Sequence, residues 1–377
     1  MKYTNSKKGD KIVEKDLKVV RDIIIKEVNP ISIILFGGFG KGEGTIERRG
    51  KEIIPLNDYD LYLITKKKLN EKQLDDLGMK CSKAIGRGGL EYSSYPTTKY
   101  DENKFFHVDI RCIRYKDLKS LLPTQRTFEL KFSKVIYGED VLDKIPDVTI
   151  PLSDAIRLLF NKMHHLLLSK DTNKKFKLIH ISKAFLDCCT ALLIYKNDMK
   201  PTYTGRNFIF KKTDFPKELK SKVNWATKMK INPDFNVKNI DELWNEARDW
   251  VFYSLRYILS NNYNVRLETT EDVADFIYKK LPFYYFIPYT KTRYLFPLQY
   301  YLNILYFIRG IKNNKFLIRP LLSWRDVGLK LPIPIMFYIY NDEFNCRKYL
   351  KKITNKTESL KERILSLYGL YYEQKLI

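Results

Sequence analysis

Two short stretches of the sequence carry aspartates that could act together. In NDYDLYLI, Asp58 and Asp60 are two residues apart, and because side chains alternate along a strand, both carboxylates fall on one face. In HVDIRCI, Asp109 lies on the face opposite Val108 and Ile110. If these strands are neighbours, three carboxylates converge, and such a set suits Mg²⁺ or Mn²⁺. Taken alone, each aspartate is also typical of a surface residue at a strand entry.

A glycine-rich loop, LFGGFGKGEG, precedes the aspartates and begins at the end of the apolar run ISIIL. It does not match the P-loop pattern GxxxxGK[ST], because Lys41 is followed by Gly42. It does not match the dinucleotide pattern GxGxxG either, because counting from Gly38 and Gly40 the third glycine falls at Glu43. Five glycines in such a short loop still indicate a sharp turn or a close approach to the backbone.

The order of these pieces resembles the nucleotidyltransferase superfamily of the DNA polymerase β type, which includes poly(A) polymerases, CCA-adding enzymes and aminoglycoside nucleotidyltransferases. The matching positions, within 30–115, are Gly37, Gly38, Asp58, Asp60 and Asp109. There are two departures: Gly38 stands where many members have serine, and the charged stretch TIERRGKEIIP (45–55) lengthens the interval before Asp58. No function is assigned to this insertion.

The resemblance implies transfer of a nucleoside monophosphate from an NTP to a hydroxyl, with release of pyrophosphate. Asp58 and Asp60 would ligate two Mg²⁺ ions, with Mn²⁺ as a substitute, and Asp109 would hold the second ion and take the acceptor's proton. The backbone amides of the Gly37–Gly44 turn would meet the β- and γ-phosphates. Lys41 would add a positive charge there, and a solvated loop lysine is the alternative interpretation.

Members of this superfamily often direct basic or amide side chains from their second domain toward the nucleotide. Here Arg157 and Asn161 lie four residues apart on a helix predicted to begin near Ser153, and Lys183 lies in the apolar helix LIHISKAFLDCCTALLIY. All three are predicted nucleotide ligands, with a snorkelling surface lysine as the alternative for Lys183. Glu43 would repel a phosphate and has no assigned role.

The pattern of apolar residues predicts an α+β protein. Residues 1–150 are expected to form a small mixed-sheet, palm-like nucleotidyltransferase domain, and residues 151–377 a mostly α-helical, basic domain that binds nucleotide and acceptor. Within the first domain, 45–55 is expected to form a charged hairpin with Gly50 at its turn.

The charge distribution indicates a polyanionic partner. The chain carries 68 Lys and Arg against 44 Asp and Glu, a net charge of +24. Residues 1–150 have a net charge of +6 and residues 151–377 a net charge of +18. We therefore expect an RNA end as acceptor, tRNA included, although a lysine-rich composition overall would give the same bias. The aromatic stretch LPFYYFIPYTKTRYLFPLQYYL could stack bases or simply form core.

Other features bound the location of the protein and leave alternatives open. Five cysteines form no CxxC motif, and the most apolar late stretch, YLFPLQYYLNILYFI, is interrupted by polar residues. We expect a cytoplasmic protein that uses no membrane and no structural zinc, and no protein partner can be inferred. The alternatives are nucleotidyl transfer to a small molecule or a protein, and a non-catalytic binding protein that retains the fold.

Overall fold

The structure is a computed structural model, and it describes residues 2–50, 52–88, 107–280, 331–353 and 359–368. Within these ranges the protein is α+β with a small mixed sheet, which confirms the predicted class. The chain forms two compact units: unit 1 is Met1–Pro151 with Lys196–Val237, and unit 2 is Leu152–Tyr195 with Lys238–Ile377. The segment 196–237 therefore belongs with the first unit, whereas the sequence analysis had placed all of 151–377 in one helical domain.

The strands in the described part of the chain all lie in unit 1. They are β1 (Ser32–Leu35), β2 (Ile46–Arg49), β3 (Glu52–Pro55), β4 (Tyr59–Thr65), β5 (Val108–Arg114) and β6 (Lys134–Gly138). Four of them form a sheet of order β5-β4-β1-β6, in which β5 runs parallel to β4 while β1 is antiparallel to both β4 and β6. β2 and β3 pair as the predicted hairpin, with Gly50 at positive φ between them.

The helices of the described ranges follow in chain order. They are α1 (Lys7–Val28), α2 (Gly37–Gly40), α3 (Glu71–Ala84), α4 (Gln125–Lys131), α5 (Leu152–Ser169), α6 (Lys174–Tyr195), α7 (Tyr203–Lys211), α8 (Lys217–Ile231), α9 (Ile240–Tyr263), α10 (Thr270–Lys279), α11 (Pro332–Ile339), α12 (Glu343–Leu350) and α13 (Leu360–Tyr368). Short 3₁₀ turns cover Tyr115–Ser120 and Leu142–Lys144. The aromatic stretch 281–302 lies outside the described residues.

Local sequence explains where α1 begins and ends. The Ser6 hydroxyl caps the first turn by accepting from the Gly9 amide. Asn29 ends the helix in the left-handed conformation with φ 47°, and Pro30 cannot continue it. Between these signals, an apolar stripe that includes Val13 and Leu17 is buried in the core of unit 1.

The two faces of the four-stranded sheet pack differently, and this positions the aspartates. Tyr59, Leu61 and Leu63 of β4 enter a core shared with α1 and α3. On the opposite face, Tyr62 and Ile64 pack in a second, smaller cluster with residues of α4 and the 3₁₀ turns. Because side chains alternate, Asp60 shares this second face with Tyr62, and it lies where β4 begins and the apolar cover ends.

The core of unit 2 is built around α6, which packs against α5 and α9. By length and composition α6 could cross a membrane, and it is the candidate of this kind among the described residues. However, 78% of its most apolar window is buried inside the protein. This is the burial pattern of a core helix in a globular protein.

Candidate active site

The starts of β4 and β5 bring the predicted catalytic aspartates together. The two strands are parallel, and Asp60 is the register partner of Asp109, so both side chains leave the same face of the sheet. Asp58 comes just before the first residue of β4, where the Tyr59 amide donates to the His107 carbonyl at 3.1 Å. The strands that carry the three aspartates are therefore neighbours, as the predicted site requires.

The three carboxylates form a concentration of negative charge. The pKa of Asp60 is raised to about 6, first because burial disfavours the charged form and then because Asp58 and Asp109 repel it. Arg111 and Arg126 lower this pKa but do not cancel the effect. Like charges close together in a poorly solvated place call for a cation or for protons.

Two cationic side chains accompany the aspartates. His107 Nδ1 lies 3.2 Å from Asp58 Oδ1, and Arg111 Nη2 lies 3.2 Å from Asp109 Oδ2. Burial lowers the pKa of His107, but Asp58 and the two other aspartates outweigh it and raise this pKa to about 9. In the part of the chain that the structure describes, no three His, Cys, Asp or Glu side chains are arranged as a metal-binding group.

The sequence analysis assigned no role to His107 or Arg111. The structure pairs each of them with an aspartate. The signal was present in the alternation of the strand, since residues two apart in HVDIR lie on one face. What the sequence could not show is that β4 supplies Asp58 as the partner of His107.

The glycine loop starts directly against the Asp60 side chain. Gly37 has a φ of 69°, and a Cβ atom at this position would lie 2.6 Å from Asp60 Oδ2. The preceding amide, that of Phe36, donates to the Asp60 carbonyl at 2.8 Å. Only glycine satisfies both the left-handed backbone and the close approach, so Gly37, the first glycine of the predicted pair, lies against Asp60.

The later part of the loop folds on itself. Within the described chain, hydrogen bonds to backbone carbonyls use the amides from Gly40 to Gly44; the Glu43 amide, for example, donates to Gly38 at 2.8 Å. At Gly44, a Cβ atom would meet the Phe39 ring at 2.0 Å. Because α2 is a single turn, its first three amides, those of Gly37, Gly38 and Phe39, are not used by these contacts.

Lys41 is engaged in a buried ion network. Its side chain is 2% exposed, and its Nζ lies 2.5 Å from Glu129 Oε2. The other Glu129 oxygen lies 2.5 Å from Arg206 Nη2 and accepts from Gln125 at 2.9 Å. Burial alone would raise the pKa of Glu129, but Arg206 and Lys41 more than offset it and lower this pKa to about 2. The Lys41 ammonium thus neutralises Glu129 where a phosphate contact had been predicted.

Glu43, which had no assigned role, caps a helix. Its carboxylate accepts the backbone amides of Tyr203 at 2.6 Å and Thr204 at 2.9 Å, together with the Thr204 hydroxyl. These amides belong to the first turn of α7, where the helix has no internal acceptors and favours negative charge. Together with Lys41 and Arg206, Glu43 fixes α7 to the glycine loop. No local pattern predicts a contact across 160 positions.

Two further residues near the aspartates were not found from the sequence. Tyr62 is buried on the Asp60 face of β4, and its hydroxyl has no hydrogen-bond partner among the described residues. Arg126, an exposed residue in the first turn of α4, acts electrostatically on both Asp60 and Tyr62. Arg126 is remote from the motif in sequence, so only the tertiary fold brings its charge to the site.

The remaining predicted ligands lie on two packed helices of unit 2. Arg157 and Asn161 are half-buried on α5, and Arg157 pairs with Asp154 at 2.8 Å. Lys183 is on α6, four residues before Asp187, and is therefore on the same side of this helix. Asp187 reaches Lys162 of α5 at 3.0 Å, so this side of α6 faces the neighbouring helix.

Three histidines of unit 2 serve packing. His164 is fully buried, and the rings of His165 and His180 lie 5.1 Å apart. Burial lowers the pKa of all three groups, that of His164 to about 3. They form a neutral aromatic cluster in the contact between α5 and α6.

No protein family model matches this chain, and no curated protein is similar to it at a significant level.

Proposed function

We propose that this protein is a metal-dependent nucleotidyltransferase that moves NMP from an NTP to a hydroxyl of an RNA end. The observation that carries the proposal is the in-register pair Asp60 and Asp109 on neighbouring parallel strands, with Asp58 beside it and Gly37 against the Asp60 carboxylate. The small mixed sheet has helices α1 and α3 on the face opposite Asp60, which is consistent with a palm-like catalytic domain.

The residues at this site fit a divalent cation by their chemistry. Hard carboxylate oxygens are the ligands that Mg²⁺ and Mn²⁺ prefer, and the raised pKa of Asp60 marks negative charge that a cation would offset. Asp58, Asp60 and Asp109 would hold it. Because Asp58 and Asp109 pair with His107 and Arg111, a bound ion would compete with these two side chains for the carboxylates.

Each part of the site has a role in the proposed reaction. When bound, Mg²⁺ supplies charge neutralisation at the transferred phosphate and lowers the pKa of the acceptor hydroxyl. The amides of Gly37 and Gly38 would approach the phosphates of the NTP. Arg126 would add an exposed guanidinium that can bind a phosphate oxygen. Lys41 would act indirectly, by holding the loop through Glu129.

Other predicted features are consistent with this function. The net charge of +24 favours an RNA acceptor over a small neutral one. Arg157, Asn161 and Lys183 remain the proposed nucleotide ligands of unit 2. The cytoplasm remains the proposed location, as the composition had indicated.

The experiment is incubation of the protein with each NTP labelled at its α-phosphate, Mg²⁺ or Mn²⁺, and total RNA. We expect labelled RNA from the wild type and none from Asp58→Asn or Asp60→Asn. Asp76→Asn, a change at an exposed aspartate of α3, is the matched control and should retain activity. If no NTP labels RNA, the acceptor assignment is wrong, and label on small molecules or protein would support the alternative acceptors.

One observation favours a second candidate, a non-catalytic binding protein that retains the fold. The pairing of Asp58 with His107 and of Asp109 with Arg111 places a positive charge beside two of the three carboxylates without a metal. This candidate predicts that no transfer to any acceptor is found and that Asp58→Asn and Asp60→Asn leave every measured property unchanged. Loss of a measured activity in either variant would exclude it.

A further inference from the structure

The two most exposed large apolar side chains of the described residues share a pattern. Phe208 on α7 is 59% exposed, and Phe344 on α12 is 79% exposed. Each is followed three and four positions later by exposed basic residues. These are Lys211 and Lys212 after Phe208, and Arg347 and Lys348 after Phe344. On a helix this spacing places the ring and both cations on one face; we call these faces the Phe208 stripe and the Phe344 stripe.

The pattern goes beyond what the composition provides. Lys and Arg account for 68 of 377 residues, fewer than one in five. The other exposed large apolar side chains of the described chain are Val19, Leu122 and Phe132. None of these three is followed by basic residues at both positions. Among these side chains, basic residues at both the third and the fourth following position occur only after the two most exposed rings.

Each stripe is the outer face of a helix whose inner face is fixed. In α7, Arg206 and Phe210 are buried, and the Glu43 and Glu129 carboxylates hold the helix to the glycine loop. The Lys212 ammonium lies 4.0 Å from the centre of the Phe208 ring. In α12, Tyr349 and Leu350 are buried. The apolar side chains that pack each helix against the protein thus lie on its inner face, and the exposed rings are not part of this packing.

We propose that the Phe208 and Phe344 stripes bind single-stranded RNA, each ring stacking on a base while the neighbouring cations contact flanking phosphates. This inference rests on the proposed function, because it assigns the surfaces that hold the RNA acceptor. Exposed aromatic rings set among basic side chains are the general means by which proteins hold single strands. The segment 196–237 carries ten basic and four acidic residues, so charge complementarity favours a polyanion at α7.

Two other kinds of partner fit these surfaces less well. A helix that lies in a membrane surface needs a continuous apolar face, whereas each stripe has one ring among charged residues. The centre of a protein interface is depleted in lysine, whereas the Phe208 stripe contains two lysines beside its ring. A single-stranded polyanion satisfies both the ring and the charges.

The test measures binding of a fluorescein-labelled single-stranded RNA oligonucleotide to the full chain by fluorescence anisotropy, in EDTA and without NTP. Phe208→Ala and Phe344→Ala should each weaken affinity about 5- to 150-fold, the loss expected for one stacked base. The dependence of affinity on salt should not change in these variants. The double variant Lys211→Ala/Lys212→Ala should instead reduce the slope of log K against log salt by about 1.4.

Matched controls separate the stripes from exposed rings and charges in general. Phe132→Ala removes an exposed ring without a basic pair, and Lys67→Ala/Lys68→Ala removes an exposed lysine pair without a ring. Both should bind as the wild type does, and circular dichroism should show that every variant is folded. The inference is overturned if the stripe variants bind like the wild type or if the controls lose as much affinity. It is also overturned if vesicles containing phosphatidylserine, and not RNA, bind in a Phe208-dependent way.

The binding assay contains no catalytic step, so failure of this inference differs from failure of the proposed function. If Asp60→Asn binds RNA through the stripes while the wild type labels no RNA, the binding surfaces are supported and the proposed transfer to RNA is refuted. If Phe208→Ala and Phe344→Ala transfer label to RNA with an unchanged KM for RNA, the proposed binding surfaces are refuted and the proposed reaction is supported.

Discussion

Replacing Glu129 with glutamine should be among the most destabilising changes in unit 1 that keep the shape of a side chain. The variant would leave the ammonium of Lys41 and the guanidinium of Arg206 buried, with exposed fractions of 2% and 3%, and without their shared counter-charge. Breaking a buried ion pair by removing one partner costs about 3–5 kcal/mol. The glycine loop and α7 are the two parts that this charge connects, so both should loosen.

The pKa of Glu129 leads to a similar magnitude. It falls from 4.5 to about 2 in the folded protein, and at about 1.4 kcal/mol per unit this corresponds to about 3 kcal/mol of stability at neutral pH. Since the folded-state pKa is depressed, this contribution is present above pH 4.5 and is lost as the pH falls toward 2. Glu129→Gln should therefore remove this part of the acid sensitivity.

Urea denaturation of wild type and variant between pH 7 and pH 3 measures both effects. The control is Glu139→Gln, which removes a carboxylate that pairs with Lys144 at the surface and should change stability little. The reasoning would be refuted if Glu129→Gln were as stable as Glu139→Gln at pH 7. An unchanged acid profile in Glu129→Gln would refute it as well.

Three further predictions follow from other parts of the structure. Gly37→Ala should destabilise the protein by about 1–2 kcal/mol through the positive φ of this position. It should also abolish nucleotidyl transfer, because the added Cβ would displace the Asp60 carboxylate. Gly50→Ala, also at positive φ but with open space around it, should show the same loss of stability without the loss of activity. Glu43→Gln should lower the free energy of unfolding by about 1 kcal/mol, because it weakens the cap of α7. The amides of that helix should then exchange hydrogen faster. Exchange rates like those of the wild type would contradict the assigned role. Burial lowers the pKa of His164 from 6.5 to about 3, so the neutral ring supports stability fully above pH 6.5, and stability declines below that pH, by about 2 kcal/mol at pH 5. His164→Phe should reduce the loss of stability between pH 8 and pH 5 by that amount in urea titrations, and equal losses in the two proteins would contradict this account.

The candidate site illustrates which structural relations local sequence can predict. Alternation along a strand was sufficient to place Asp58 and Asp60 on one face and Asp109 on the corresponding face of its own strand, because the apolar residues between them must turn to the core. The pattern could not identify the neighbours of each strand. The parallel pairing that aligns Asp60 with Asp109 arises from the order β5-β4-β1-β6, which depends on contacts across the whole sheet.

The glycine loop shows more clearly which features local sequence predicts and which ones the tertiary structure decides. The sequence by itself indicated that LFGGFGKGEG makes a sharp turn or a close approach to the backbone. The structure places this feature at Gly37, which has a positive φ and lies against the Asp60 carboxylate. Only the tertiary structure decided what Lys41 and Glu43 do, because their partners are on α4 and α7, far along the chain. A charged side chain carries no local sign of its partner, and burial determines whether it serves a ligand or holds the fold together.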